Sequence, residues 1–159
     1  MKKHMGLLLG SILFFNACTG QPKKEESAFI VLKTASMKYA DMGFIKNSPS
    51  KVEVEMYAAG QPLVSIEING MNICMSTFEC MEKSDFNKKV LHSSYPDTLL
   101  ENIFKSKPIF NSKNLEKSSD GFTQKIQKED KYDITYTVIS GERKFRDRIN
   151  KILIKVREE

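Results

Sequence analysis

The chain contains no tryptophan, five prolines, three cysteines and two histidines in 159 residues. The shortage of histidine narrows the chemistry at once. His4 lies in the apolar N-terminal segment, which leaves His92 as the one histidine of the remaining chain. A zinc centre built on a cysteine pair would need two more ligands, and a nucleophile relay would need an acid spaced to orient the ring. His92 stands in His-Ser-Ser with no such acid, so it reads as a surface-loop histidine. No HExxH motif, phosphate-cradling glycine loop or nucleophile elbow occurs either. The expectation is a binding or structural protein with no catalytic residue, metal or cofactor. Long apolar runs are also missing: the run from Met5 to Phe15 falls short of the roughly 20 residues that span a bilayer.

What is present begins at that run. Lys2 and Lys3 precede it and Asn16-Ala17-Cys18 follows it, the layout of a secretory signal peptide over 1–17. A cysteine placed directly after the apolar stretch resembles a bacterial lipobox, in which the thiol is acylated and becomes residue one. Cys18 is therefore the candidate lipidation site, and an ordinary signal peptide with an incidental cysteine is the alternative. A multiply acylated cysteine anchors a protein stably without a transmembrane helix, because each buried methylene contributes about 0.8 kcal/mol. Thr19, where Asp would favour retention at the inner membrane, points to an outer-membrane protein facing the periplasm. Polar residues from Thr19 to Ser27 make 18–27 a lipidated cysteine followed by a flexible tether, and 28–159 a single β-rich domain.

The net charge of +5 falls to +3 when Lys2 and Lys3 are removed, and the positives are mixed with Asp and Glu. The densest basic stretch is Arg143, Lys144, Arg146 and Arg148. In an exported protein with no nucleic-acid motif it reads as a charged strand edge that discourages edge pairing, or as a contact with acidic lipid headgroups.

Alternation of apolar and polar residues marks half-buried strands: Val52, Val54 and Met56, then Tyr132, Ile134, Tyr136 and Val138, then Ile152, Ile154 and Val156. Six to eight antiparallel strands are expected. Residues 94–104, with Pro96 near the start and Leu99, Leu100, Ile103 and Phe104 at helical spacing, predict an amphipathic helix of about three turns, with a weaker helical turn over 84–91. Cys74 and Cys80 read first as a structural disulfide in an oxidising compartment, with free thiols or a metal or redox role as the alternatives.

One residue breaks the alternation. In the stretch EMYAAGQPLVSIEI the apolar face is Val64, Ile66 and Ile68, so Leu63, after Pro62, falls on the polar side unless a bulge turns it inward.

The order of elements, from Met42-Gly43-Phe44 through the Gly-Pro hairpin and the YPDTLLENIFKSKPIF segment to FRDRINKILIKV, resembles the LolA/LolB superfamily of lipoprotein carriers and receptors. The resemblance implies an incomplete antiparallel β-barrel covered by helices, whose apolar interior takes the acyl chains of client lipoproteins and releases them into the outer membrane. On this sequence it places Val52, Val54, Met56, Val64, Ile66 and Ile68 on the concave surface, faced by Leu99, Ile103 and Phe104. It puts Pro62 and Leu63 on a membrane-contact loop. A structural or assembly lipoprotein with a dry core and a protein partner is the other reading.

Overall fold

The computed structural model describes residues 24–159. The candidate signal peptide, Cys18 and the first part of the tether lie outside the described residues.

Eleven strands form one antiparallel sheet: β1 (Lys24–Lys33), β2 (Lys38–Asn47), β3 (Val52–Ala58), β4 (Gln61–Ile68), β5 (Asn72–Met75), β6 (Phe78–Glu82), β7 (Leu115–Ser118), β8 (Gly121–Lys128), β9 (Tyr132–Ile139), β10 (Glu142–Asp147) and β11 (Ile152–Glu158). The spatial order is β6-β5-β4-β3-β2-β1-β11-β10-β9-β8-β7. Chain neighbours pair as hairpins, and a single long-range pairing, β1 with β11, joins the two halves. The end strands β6 and β7 are not paired with each other, so the sheet is an open, incomplete barrel. The alternation forecast this class of fold but too few strands, because β5, β6 and β7 span only four or five residues each and carry little periodic signal.

Alternate residues of every long strand point to one side, where Ile30, Leu32, Ile45, Val54, Ile66, Ile134, Phe145 and Ile154 are buried. That face is roofed by the segment between β6 and β7, which holds α1 (Lys83–Val90), α2 (Leu99–Phe104) and one 3-10 turn at Phe110–Ser112. Phe86, Val90, Leu99, Leu100, Ile103, Phe104 and Ile109 reach from the roof into the core. At Gly43 the strands approach closely: a Cβ there would lie 2.3 Å from the Glu55 carbonyl oxygen and 2.9 Å from Ile30 Cδ1.

Several expectations need correction. The helix over 94–104 is only six residues long, and the weaker turn over 84–91 is the longer helix, α1. The reason is tertiary. The Asn87 side chain donates to the carbonyls of Tyr95 and Pro96 at 3.2 Å each, and the Tyr95 hydroxyl donates to Asp147 on β10, so the chain is drawn onto the sheet before it can wind. The tether is shorter than 18–27, since β1 begins at Lys24. Polar composition there concealed a strand whose Lys24 pairs with Asn47 and whose Glu26 forms an ion pair with the buried Arg143. Nor is the basic stretch a sheet edge, because β10 is flanked by β9 and β11.

Candidate functional site

The chain assembles three surfaces that bear on function: the space beneath the roof, the β3–β4 hairpin and the convex side of the sheet.

Val52, Val54, Met56, Val64, Ile66 and Ile68 come together on the concave face, and Leu99, Ile103 and Phe104 face the sheet from the roof. All nine are 0–1% exposed. Roof and sheet are closed on each other, and the expected lining is a packed core in this conformation.

The seam between roof and sheet is polar, a feature no local pattern could announce. Arg143 Nη1 donates to the Phe104 carbonyl at 2.7 Å, while Nη2 meets Glu26 and, at 2.8 Å, Glu158. The Asn47 amide reaches the same Phe104 carbonyl at 3.5 Å. Gln124 holds the other end of the roof: its Oε1 accepts from the Ile109 amide at 2.8 Å, and its Nε2 donates to the carbonyls of Ile109 and Lys113 at 3.0 and 2.7 Å. Three buried polar atoms are unpaired among the described residues: Asn47 Oδ1, Tyr136 Oη and Arg143 Nε. Two of these belong to the side chains that hold the Phe104 carbonyl. A buried polar atom without a partner costs about 1–3 kcal/mol, so the seam at the end of α2 carries a local penalty alongside its ion pairs.

Asp147 anchors the middle of the roof. Burial raises its pKa, but hydrogen bonds from the Tyr95 hydroxyl, the Asn150 side chain and the amides of Asp133 and Asn150 outweigh it and hold the carboxyl below its ordinary range. Burial, reinforced by the bond to Asp147, pushes the Tyr95 hydroxyl far up. Glu101 is also lowered: its burial is offset by Lys105 at 2.7 Å and Lys83 at 2.8 Å. His92 is in the loop between α1 and α2, its Nδ1 accepting from the Ser94 amide at 3.2 Å and its ring 5.6 Å from that of Tyr95.

The hairpin explains the leucine. Ala59 and Gly60 form a two-residue turn, with φ of 50° and 79°, the geometry that suits the twist of a β-hairpin. Pro62 has no N–H to give to the ladder, and sheets accommodate it at bulges. Accordingly Met56 pairs with Val64 and Tyr57 with Pro62, which leaves Leu63 as the extra residue. The bulge is real, yet it does not turn the side chain inward: Leu63 is 47% exposed and Val64 keeps its place in the core. Pro62 is exposed beside it.

Cys74 and Cys80 form a disulfide across the β5–β6 hairpin at the edge of the sheet.

On the convex side, β3 and β4 carry Glu53, Glu55 and Glu67, partly neutralised by Lys46 and Lys51. Across β10 and β11 the sign reverses. Lys144 and Arg146 point outward, opposite Lys155 and Leu153, and Arg157 sits 5.8 Å from the Phe29 ring. Among the described residues no group of three or more His, Cys, Asp or Glu is arranged to hold a metal ion, and no helix is long and apolar enough to cross a membrane. No protein-family model matches this chain, and no characterised protein aligns with it significantly.

Proposed function

We propose that this is a membrane-tethered carrier of acyl chains related in architecture to the LolA/LolB superfamily, with its roof closed in the conformation described. The observation that carries the reading is the open eleven-stranded sheet with a mainly apolar concave face beneath a short roof, combined with an apolar side chain held outward on the β3–β4 hairpin. Handover of an acyl chain requires no catalytic group, only surfaces of graded affinity.

The energetics permit exchange when a chain replaces α2. Lifting Leu99, Leu100, Ile103 and Phe104 from the core re-exposes four large side chains at about 1.5–3 kcal/mol each. Burying an acyl chain of about 14 methylenes returns roughly 11 kcal/mol at about 0.8 each. The two terms are similar. A lipid chain can therefore occupy the core at small net cost, whereas water cannot. The polar seam at Phe104, with Asn47 Oδ1 and Arg143 Nε unpaired, is where opening would begin. Leu63 would release the client by entering the bilayer, where burying it is worth about 1.5–3 kcal/mol.

The second reading, a dry-cored assembly lipoprotein, draws on the closed packing of the nine lining residues. Native mass spectrometry of the gently purified mature protein separates the two. The carrier reading expects a co-purified acylated peptide or phospholipid, and a ligand-free protein that still complements a deletion of its gene would refute it. Leu63→Glu provides a second test: it should fold normally and load clients but fail to release them to vesicles, and normal release would count against the hairpin's role. Loss of palmitate labelling in Cys18→Ser tests the anchor.

A further inference from the structure

The basic stretch singled out in the sequence has no part in the concave site, and its position in the sheet gives it another. Arg143 faces inward and is consumed by the seam, so the stretch splits by strand alternation. Lys144 and Arg146 face outward, and with Arg148, Thr135 and Thr137 they line a shallow groove of about 260 Å³ on the convex side of β9 and β10. No carboxylate lines it. Arg148 is paired with Asp133 at 3.4 Å, while Lys144 and Arg146 have no ion-pair partner among the described residues. Across the next strand Lys155 is neutralised by Glu142 at 2.8 Å, so the groove keeps its own excess charge. Two cations and two hydroxyls in a groove this small suit the oxygens of a phosphodiester.

The surroundings indicate where that phosphate comes from. Moving across the sheet from β10 through β11 to β1 and β2, the same convex side exposes Met42 and Phe44, each 40% accessible, beside the half-buried Phe29. Phe29 has Arg157 beside it on β11, while Phe44 stands opposite Glu55, which Lys46 pairs at 3.6 Å. Apolar and aromatic side chains bordered by cations on the β11 side are the composition of a surface that meets lipid headgroups. Chain length adds a constraint. Five residues lie between Cys18 and Lys24, a reach of at most about 20 Å. β1 itself is 10 residues long, about 30 Å from end to end. Were the strands upright, the acyl anchor could hold only the Lys24 end near the bilayer. With the strands parallel to the bilayer, the whole convex side of β2, β1, β11 and β10 lies within reach.

We infer that the convex side of β2-β1-β11-β10 is a docking surface for anionic phospholipid, with a headgroup phosphate seated between Lys144 and Arg146. The domain lies flat on the membrane, leaving the acidic β3–β4 side, with Glu53, Glu55 and Glu67, at the rim. This rests on the Cys18 tether but not on the acyl-chain cavity, so a dry core leaves it untouched.

The test removes the anchor and asks whether the surface binds alone. The mature chain, residues 18–159 produced without the leader and carrying Cys18→Ser, is floated with vesicles of phosphatidylcholine, with or without phosphatidylglycerol. It is compared with Lys144→Gln/Arg146→Gln and with Lys113→Gln/Lys117→Gln in the same background. The second pair removes the same charge from exposed sites in β7 and just before it, three strands away, about 14 Å and beyond the screening length in physiological salt. Each cation at a lipid surface contributes about fivefold in partitioning. The groove pair should therefore lower binding to anionic vesicles about 25-fold, while the control pair changes it less than about twofold. Equal losses in both pairs, no preference for anionic vesicles, or displacement by millimolar inorganic phosphate at constant ionic strength would each overturn the proposal, the last by identifying free phosphate as the ligand. Circular dichroism on each variant establishes that the comparison is between folded proteins.

Discussion

Replacing Arg143 by Met is the most direct test of how roof and sheet are joined. The guanidinium is 2% exposed and stands between a Glu26 side chain at 9% and a Glu158 side chain at 40%. It also donates to the Phe104 carbonyl at the end of α2. Met fills much of the same volume, so packing is largely retained while the charge is lost. Glu158 can turn to water, but the largely buried Glu26 keeps only the exposed Lys24, at 3.7 Å, as a partner. Stranding one member of a buried pair costs about 3–5 kcal/mol. Against a total stability of roughly 5–15 kcal/mol, that is a third or more for a marginal domain. Neutralising the stranded group should recover part of it: Glu26→Gln with Arg143→Met is expected to be about 1–3 kcal/mol more stable than Arg143→Met alone. Urea denaturation of the mature protein at neutral pH, followed by circular dichroism, measures both steps. Hydrogen exchange adds a local readout, because the amides of Lys105, Ser106 and Lys107 bond to carbonyls of α2 and should exchange faster once Phe104 is released. An Arg143→Met protein within about 1 kcal/mol of the parent, or a double variant no better than the single one, would refute the account of the seam.

The remaining predictions concern acid and the disulfide. Asp147 and Glu101 both have lowered pKa values in the folded state, so each contributes stability that is fully present above the ordinary carboxylate range and is lost as pH falls through the folded value. Unfolding free energy should fall as pH drops below about 4, and Asp147→Asn should be less stable than the parent at pH 7 yet show a flatter acid dependence. A parallel decline in parent and variant would argue against Asp147 as a source of acid sensitivity. Replacing Cys74 and Cys80 by Ser opens a seven-residue ring, for which chain entropy predicts a loss of roughly 2–2.5 kcal/mol. Thermal unfolding of the oxidised parent against the double variant measures it, and because the hairpin lies at the sheet edge, exchange should rise first in β5 and β6.

Some of this was legible locally. The disulfide joins residues six apart, so the ring closes within one hairpin and owes little to the rest of the fold. Val52, Val54, Met56, Ile134, Ile154 and Val156 are buried where alternation put them, because a long strand with one face on a core must alternate. The outward position of Leu63 follows the same parity, counted back from Val64. The six-residue α2 was not legible, since its shortening depends on Asn87 and Asp147, which are remote from it in sequence.

The basic stretch separates the two levels most clearly. Composition and spacing by themselves determine that four cations fall within six residues and that alternate ones share a face. They also determine a mainly β chain and which apolar residues of each long strand share a face. Only the tertiary structure decides that β10 lies inside the sheet, with β11 on one side and β9 on the other. That placement buries Arg143 against Glu26, more than a hundred residues away, and leaves Lys144 and Arg146 together on the convex side. Local chemistry sets which way a strand faces, because the backbone repeats every two residues. Which strands stand beside it, and so which charges are neutralised and which stay exposed, is set by pairings between distant parts of the chain.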